Sequence, residues 1–453
     1  MIGEDMNSDS YDIIVAGGGM AGCAAAIAAA RSGFRTLIIE NFGFLGGWAT
    51  AALVNPFMTH RTSDGKPLIA GLFDEINSRL AILGGLLVNS FDPEAMMFAL
   101  QEMVLESGAD IRLHALCEEA SIADSGEIVV LIRSKSGEEE IRCRRLIDCT
   151  GDGDLAVSLG ARFETGDEQG LPQAATLMFD VGGVDLEKAL QYVKDNPDQM
   201  RFPKLSPDAD PAVLADGIIS VAGYYQLIEQ ARAAGDYNAP GDLIFYIGRP
   251  RKGEVTFNTT HIGGVNGIDA GDLTRAEIEG RRQMMSIVAF VKKYVPGFEH
   301  AFLLRSAAHV GIRETRRIIG EYVFNGADVT HARKFDDAIC RLAYPVDVHS
   351  GKGEGYTKDE EQVTGPQIPP AGDWYEIPYR CMVPLGLENV LVAGRCVSST
   401  QAGHGAIRIM PACVAMGEAA GTAAGLSLKD GVTPRNIDPG KMRELLKETG
   451  SLL

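Results

Sequence analysis

Residues 11–40 read YDIIVAGGGMAGCAAAIAAARSGFRTLIIE. Tyr11 to Ala16 is a short apolar run that stops at three glycines, Ala21 to Ser32 is alanine-rich and closed by Gly33, and Thr36 to Ile39 is a second apolar run ending on Glu40. This pattern predicts strand, tight turn, helix and strand, with the two strands parallel and joined by a right-handed crossover. Gly17-Gly18-Gly19-Met20-Ala21-Gly22 fits G-x-G-x-x-G in the context that gives it meaning. Gly17 permits the turn, Gly19 lets the backbone approach a diphosphate, and Gly22 allows close packing of the helix, whose N-terminus offers free N–H groups. Glu40 lies 18 residues beyond Gly22, where a carboxylate can accept hydrogen bonds from a ribose diol. The competing reading is a glycine-rich turn in an ordinary α/β protein, and the motif alone does not choose between dinucleotides.

The rest of the chain extends this frame. Its 453 residues exceed one ordinary domain. With 45% hydrophobic and 23% charged residues, disordered and fibrous classes are excluded. A net charge of -19 repels phosphate backbones and anionic lipid surfaces, so neither nucleic acid nor a membrane is the expected partner; a small-molecule substrate is, and a homo-oligomer is left open. The eight cysteines show no CxxC pair or zinc spacing, and no metal site is expected. With a polar, acidic N-terminus lacking an export signal, the expected location is the cytoplasm. Phe91 to Gly108 predicts an amphipathic helix begun by Asp92-Pro93. The runs 111–115, 128–134 and 140–143 predict a small antiparallel meander, followed by a separate strand over 146–149. Between about 160 and 370 the period changes. There, 242–258 reads as strands, Thr274 and Glu277 as a capping box, and Ile278, Met285, Val288 and Val291 as a buried helix face. Ser350 to Asp373 reads as a mobile loop or linker, Val390 to Ala393 as a strand, and Pro411 to Leu428 as a small-residue helix able to pack against a sheet.

Two further strings narrow the cofactor. With Gly46-Gly47-Trp48-Ala49-Thr50 and Cys149-Thr150-Gly151-Asp152, the sequence resembles the glutathione-reductase-like flavoprotein superfamily, and within it the FAD-dependent oxidoreductases related to fumarate reductase flavoproteins. The resemblance covers roughly 10 to 160 and 370 to 430. Three later stretches match at family level: 311–318 (GIRETRRI), 377–380 (IPYR), and 393–396 (AGRC) running on to 408–411 (RIMP). It implies an α/β fold. A Rossmann-like FAD-binding domain, with a parallel sheet and a small antiparallel meander, is built from 10–160 and 371–453, and an α+β cap or substrate domain, 161–370, is inserted. It also implies cofactor contacts from Gly17, Gly19, Met20, Ala21, Gly22, Glu40, Asn41, Gly46, Gly47, Trp48 and Thr50 at the N-terminal side. Thr150, Gly151, Asp152, Gly394, Arg395, Arg408 and Ile409 complete the set. Two departures stand out: Arg395 occupies a place where an acidic residue often meets the ribityl chain, and Gln401 and Ala402 replace polar or acidic residues, leaving His404 the titratable side chain of that loop.

Reduced flavin carries negative charge on its pyrimidine edge, which donors and cations stabilise. Arg408 and the helix beginning near Pro411 suit that task, with a surface salt bridge as the alternative for Arg408. Arg313, Arg316 and Arg317 form a cationic cluster for a carboxylate or phosphate, with Arg313 and Arg316 on one face if that segment is helical; surface ion pairing is the plainer reading. His404 is the first choice for proton transfer, ahead of His60 and His309. Tyr379 and Arg380 are expected, by resemblance, to close the substrate side. No Cys-x4-Cys follows Gly46-Gly47 and no second G-x-G-x-x-G occurs, so neither a dithiol shuttle nor a nicotinamide domain is expected. The expected reaction is hydride transfer between a small, anionic organic substrate and flavin N5. Fumarate-reductase-like reduction of an activated double bond, and a non-catalytic FAD-binding protein, are the alternatives.

Overall fold

Strand Ser10–Ala16 ends because Gly17 takes φ +93°, open to glycine, while a Cβ there would lie 2.5 Å from the Cys149 carbonyl oxygen. The chain then enters helix Met20–Arg31, whose N-cap is Gly19 and whose first turn has neither a side-chain cap nor an acidic residue. Its leading N–H groups are left open by the sequence itself. Strand Thr36–Ile39 follows, parallel to the first with Ile13 opposite Thr36. A computed structural model gives these positions; it describes residues 10–216, 220–355 and 367–453.

Parallel neighbours extend the sheet on both sides: Asp110–Arg112 beside Thr36–Ile39, and Gly137–Asp148 beside Ser10–Ala16. Val390–Val392 pairs in parallel with the far end of Gly137–Asp148, so the C-terminal part of the chain completes the sheet. The first half of Gly137–Asp148 instead runs antiparallel to Ile128–Ser134, which pairs with Leu116–Ile122. The meander therefore differs from expectation. Its first strand is Leu116–Ile122, the run at 111 belongs to the parallel sheet, and 140–143 and 146–148 are one continuous strand shared by both layers. Only Cys117 and Ala120 are buried in Leu116–Ile122, which is why its pattern escaped a reading by alternation.

Both faces of the parallel sheet are covered. Ile13, Val15 and Ile38 pack into one core and Ile14, Leu37 and Ile39 into another. Helix Met20–Arg31 covers the first face, and on it lies the long helix Met410–Asp430. A Cβ on Gly417 would come within 2.0 Å of the Ala21 carbonyl oxygen, one on Gly421 within 2.3 Å of the Ala25 carbonyl oxygen, and one on Gly425 within 2.7 Å of Ser32 Cβ. The glycines recur every four residues and form one stripe. This helix thus packs backbone to backbone against a helix, where the sequence had suggested a sheet.

Glu418 lies beside that stripe, 2% exposed. Its carboxylate accepts hydrogen bonds from the Leu72 N–H (3.3 Å) and the Thr449 and Ser451 hydroxyls (2.9 and 3.2 Å), tying the helix to Leu72–Ile82 and to the C-terminal residues. Burial outweighs these bonds and pushes its pKa up to about 7. A raised carboxyl pKa means that the folded state holds the proton more tightly than the unfolded chain. The stability this confers is complete below the ordinary carboxyl range and lost as pH rises through about 7. Glu418→Gln is expected to flatten that decline and to stabilise the protein at mildly alkaline pH by about 3 kcal/mol, read from denaturant unfolding across pH.

A second, antiparallel sheet takes the order Met200–Phe202, Ser220–Gly223, Ile244–Gly248, Val255–Phe257, Phe179–Gly182, Phe302–Ser306. It has its own core, with Phe179 stacked on Phe257 at 5.0 Å between ring centroids, covered by helix Ala270–Tyr294. The capping box is not formed: Asp269 caps that helix through the Asp272 N–H, and Thr274 lies inside it with its hydroxyl on the Ala270 carbonyl. The buried stripe runs through Ala276, Gly280, Met284, Ile287 and Val291, with Val288 alongside, so Ile278 and Met285 fall on the outer face. Strands Ala338–Leu342 and Tyr375–Pro378 pair with each other and pack into the core of the glycine helix. The described parts of Ser350 to Asp373 carry neither helix nor strand; 356–366 lie outside the described residues.

Candidate functional site

A cavity of about 460 Å³ opens at the carboxyl ends of the parallel strands, the usual ligand position of an open α/β sheet. Its first wall is the glycine turn. Gly19 has φ −70°, and a Cβ there would meet protein no nearer than Gly47 Cα at 4.0 Å, so the space beside it is left for a ligand. Gly22 serves the fold, since its Cβ would stand 1.8 Å from the Gly17 carbonyl oxygen. Gly46 bridges to Gly19 and stands behind the lining with Thr50, whose hydroxyl donates to the Leu45 carbonyl at 2.8 Å. Gly47 and Trp48 reach the cavity.

Glu40 lines the cavity with Asn41 and is buried, its carboxylate accepting the Gly18 N–H at 2.6 Å and the Phe42 N–H at 2.9 Å. Burial raises its pKa, opposed by these backbone donors. Thr150 shapes the opposite turn, donating to Asp148 at 2.7 Å and accepting from the Asp152 N–H at 3.3 Å. Gly151 and Asp152 border the cavity beside it, as does Gly394. Arg395 is held by Asp152 (2.7 Å) and the Thr315 hydroxyl (3.1 Å), with its guanidinium 5.2 Å from the Trp48 ring centroid. Its charge is thus neutralised locally while its side chain stays in the lining.

Arg408 stands between helices Gln401–Ile407 and Met410–Asp430 and also lines the cavity. It donates to the Asp347 carbonyl (3.1 Å) and carboxylate (3.3 Å) and to Gln173 Oε1 (3.5 Å), whereas its buried Nε has no partner among the described residues. Ile409 is the N-cap of helix Met410–Asp430, again without a side-chain cap or first-turn acid, and Met410 and Cys413 of its first turn border the cavity. Met20 and Ala21 do the same for the glycine helix.

Three residues expected to carry chemistry stand elsewhere. His404 is fully buried, its Nε2–H donating to the Arg395 carbonyl at 3.0 Å while Nδ1 has no partner among the described residues. Burial, reinforced by Arg408, Arg317 and Arg395, holds its pKa well below the usual histidine value, so the ring is a neutral prop for the 394–395 turn. Arg380 is half exposed and paired with Asp337 at 2.9 and 3.2 Å. Arg313 is buried against the Ala174 carbonyl and outside the lining. Arg316 binds Asp154 at 2.7 Å and Arg317 is ion-paired with Glu314 inside the protein; the segment is a loop leading into strand Arg316–Ile318, so no helical face unites them. Tyr379 donates to the Pro434 carbonyl, and His60 lies away from the cavity. An Arg380→Ala protein is expected to keep its cofactor and turnover, and to lose at most about 1 kcal/mol in thermal unfolding.

The second sheet's side of the chain supplies walls that sequence reading did not place: Gly267, Leu273, Glu277 and Ile312. Glu277 accepts the Val310 N–H at 2.7 Å, and His309 stacks on Phe42 at 5.2 Å. Leu116 and Cys117, from strand Leu116–Ile122, also border the cavity. Among the described residues no three metal-ligating side chains converge, and no single helix is long and apolar enough to cross a membrane.

The fold and crevice are those of a dinucleotide-binding α/β protein. The chain matches the FAD dependent oxidoreductase family over residues 12–446 and belongs to it. It is an FAD-dependent oxidoreductase, and its cofactor is FAD. Among solved structures, a geranylgeranyl bacteriochlorophyll reductase-like protein from Thermoplasma acidophilum shares 13% identity over 97% of this chain and 83% of its own, with a TM-score of 0.46. A flavoprotein/dehydrogenase from Cytophaga hutchinsonii shares 13% over 96% and 82%, with a TM-score of 0.47. The p-nitrophenol 4-monooxygenase of Pseudomonas putida shares 11% over 97% and 87%, at 0.44.

Proposed function

We propose that FAD lies extended along this cavity, its diphosphate at the glycine helix and its isoalloxazine toward Arg408, and that the reaction is hydride transfer between a small, anionic organic substrate and flavin N5. The observation that carries this reading is a stagger. Gly417 lies against Ala21 and Gly421 against Ala25, so the two helices run in the same direction. Met410–Asp430 starts seven residues before Gly417 and Met20–Arg31 one residue before Ala21, which sets its N-terminus about 9 Å further along. Two uncapped positive helix ends, one behind the other, thus face one cavity. The first suits a diphosphate and the second, with Arg408, suits charge gathering at the far end of the same ligand.

Bound FAD supplies a two-electron acceptor. The chain does the rest. Gly17 and Gly19 admit the diphosphate, Glu40 and Asn41 meet the ribose, and Arg408 with the Met410 helix end stabilises developing negative charge. Glu277, His309 and Ile312 close the cavity from the opposite side, which supports reading the second sheet and its helix as an inserted cap. On the same grounds we place the chain in the glutathione-reductase-like superfamily, near the fumarate reductase flavoproteins.

Purification without added cofactor should yield a yellow protein absorbing near about 450 nm. Anaerobic mixing with small hydroxy and amino acids should bleach it for the physiological substrate class. If only neutral donors bleach it, the anionic substrate is wrong; if photoreduced protein is reoxidised by an unsaturated acid, electrons flow outward, as in a fumarate-reductase-like enzyme.

A further inference from the structure

His309 comes from the second sheet's side of the chain and lines the cavity together with Glu40 and Phe42 of the glycine-turn side. Its backbone is fixed on both flanks. The Ala307 N–H donates to the Met178 carbonyl (2.9 Å), Ala308 to the Ala51 carbonyl (2.8 Å), Val310 to the Glu277 carboxylate (2.7 Å) and Gly311 to the Thr176 carbonyl (2.7 Å). The ring is held as well, stacked on Phe42 with 12° between the planes, while Phe42 stacks in turn on Phe44 at 5.6 Å. A side chain held this firmly loses little freedom when a ligand meets it.

His309 Nδ1 lies 2.7 Å from the Val310 carbonyl oxygen, which can only accept, so the hydrogen sits on Nδ1. In the neutral ring Nε2 is then an acceptor. Among the described residues it has no hydrogen-bond partner, and it keeps accessible surface. Its neighbour on the other wall is a second acceptor. Burial and backbone donors dominate the Glu40 pKa, and behind them His309 is a side chain whose charge reaches that carboxyl. Acceptors on two facing walls call for a ligand that brings donors. Within FAD these are the ribose hydroxyls, the adenine amine and the ribityl hydroxyls. The place beside Glu40 selects the first.

We infer that His309 Nε2 accepts a hydrogen bond from the adenosine ribose of FAD, opposite Glu40, so that the cofactor bridges the two sheets. The inference rests on the cofactor orientation proposed above, with the ribose at Glu40. It gives His309 a cofactor contact in place of a part in proton transfer.

The test is displacement of FAD from the holoprotein at about pH 8, above the ordinary histidine range. FMN carries the flavin without adenosine, ADP carries adenosine without the flavin, and 2′,3′-dideoxy-ADP lacks the ribose hydroxyls. His309→Phe keeps a ring on Phe42, and His309→Asn keeps a donor for the Val310 carbonyl; both delete the Nε2 acceptor. In each variant the FMN concentration that releases half of the FAD should fall about tenfold, because FAD has lost a hydrogen bond that FMN never made. Dideoxy-ADP should follow FMN. The ADP requirement should stay at its wild-type value, since ADP loses the same bond as FAD, and a site damaged by misfolding would not spare it. Dideoxy-ADP behaving like ADP moves the contact to adenine and overturns the ribose assignment. Wild-type displacement by all three competitors overturns the contact and leaves the cofactor orientation standing. A fall in the ADP requirement with FMN unchanged puts His309 at the flavin end, and overturns both the contact and the orientation.

Discussion

Gly19→Ala is expected to fold with wild-type stability and to purify without colour, whereas Gly22→Ala is expected to lose both flavin and stability. The added atom is the same and its surroundings differ. At Gly19 the backbone (φ −70°, ψ −174°) suits alanine, and a methyl group meets protein no nearer than Gly47 Cα at 4.0 Å, an ordinary contact without clash. It would stand in the space assigned to the diphosphate. At Gly22 the methyl would lie 1.8 Å from the Gly17 carbonyl oxygen, backbone against backbone, which no side-chain rotation relieves. Overpacking of this kind costs about 1–3 kcal/mol or more, and its relief displaces the turn that holds the cofactor. Flavin absorbance per protein and thermal unfolding check both halves. A Gly19→Ala protein carrying a full complement of FAD would show that the diphosphate lies elsewhere.

Arg408→Met should slow flavin reduction by the substrate by about 10²- to 10³-fold and make the flavin harder to reduce, while FAD stays bound. The sign follows from charge: removing a cation beside a group that becomes more negative raises the energy of the reduced state. Arg408→Lys should restore part of the potential by returning the charge, without restoring the paired donors of a guanidinium. The readouts are stopped-flow bleaching and the two-electron potential from a dye-linked titration. A wild-type potential in Arg408→Met would remove Arg408 from the flavin's surroundings, and with it the orientation proposed for the cofactor. The Arg380→Ala control differs in kind. That residue's partner, Asp337, lies away from the cavity, and turnover should not depend on it.

The first forty residues disclosed the strand, the glycine turn and the helix because their constraints are local. A positive φ at Gly17 and the clash of Gly22 with Gly17 involve residues five apart, and the alternation of Ile13, Ile14 and Val15 between two cores follows from the strand's period of two. Trp48, Thr150, Gly394 and Arg408 were legible as cofactor candidates from short strings, and the fold brings all four to one cavity. His404 was not legible in the same way. Its short string placed it near the flavin, but what it does depends on the Arg395 carbonyl nine residues back and on three surrounding cations. The Thr274-x-x-Glu277 pattern was a true local signal outcompeted by Asp269, which caps the helix earlier and leaves Glu277 free to hold Val310.

Sequence alone therefore settled the dinucleotide turn, the parallel βαβ start and the small-residue character of the helix after Pro411, since each depends on sterics within a few neighbouring residues. Tertiary structure alone decided that this helix lies on the glycine helix with its N-terminus set forward, that Arg408 rather than Arg380 or His404 faces the cavity, and that Arg408 meets Asp347 and Gln173. Such pairings join residues up to several hundred positions apart. Their energies depend on burial and on partners, which no local pattern encodes.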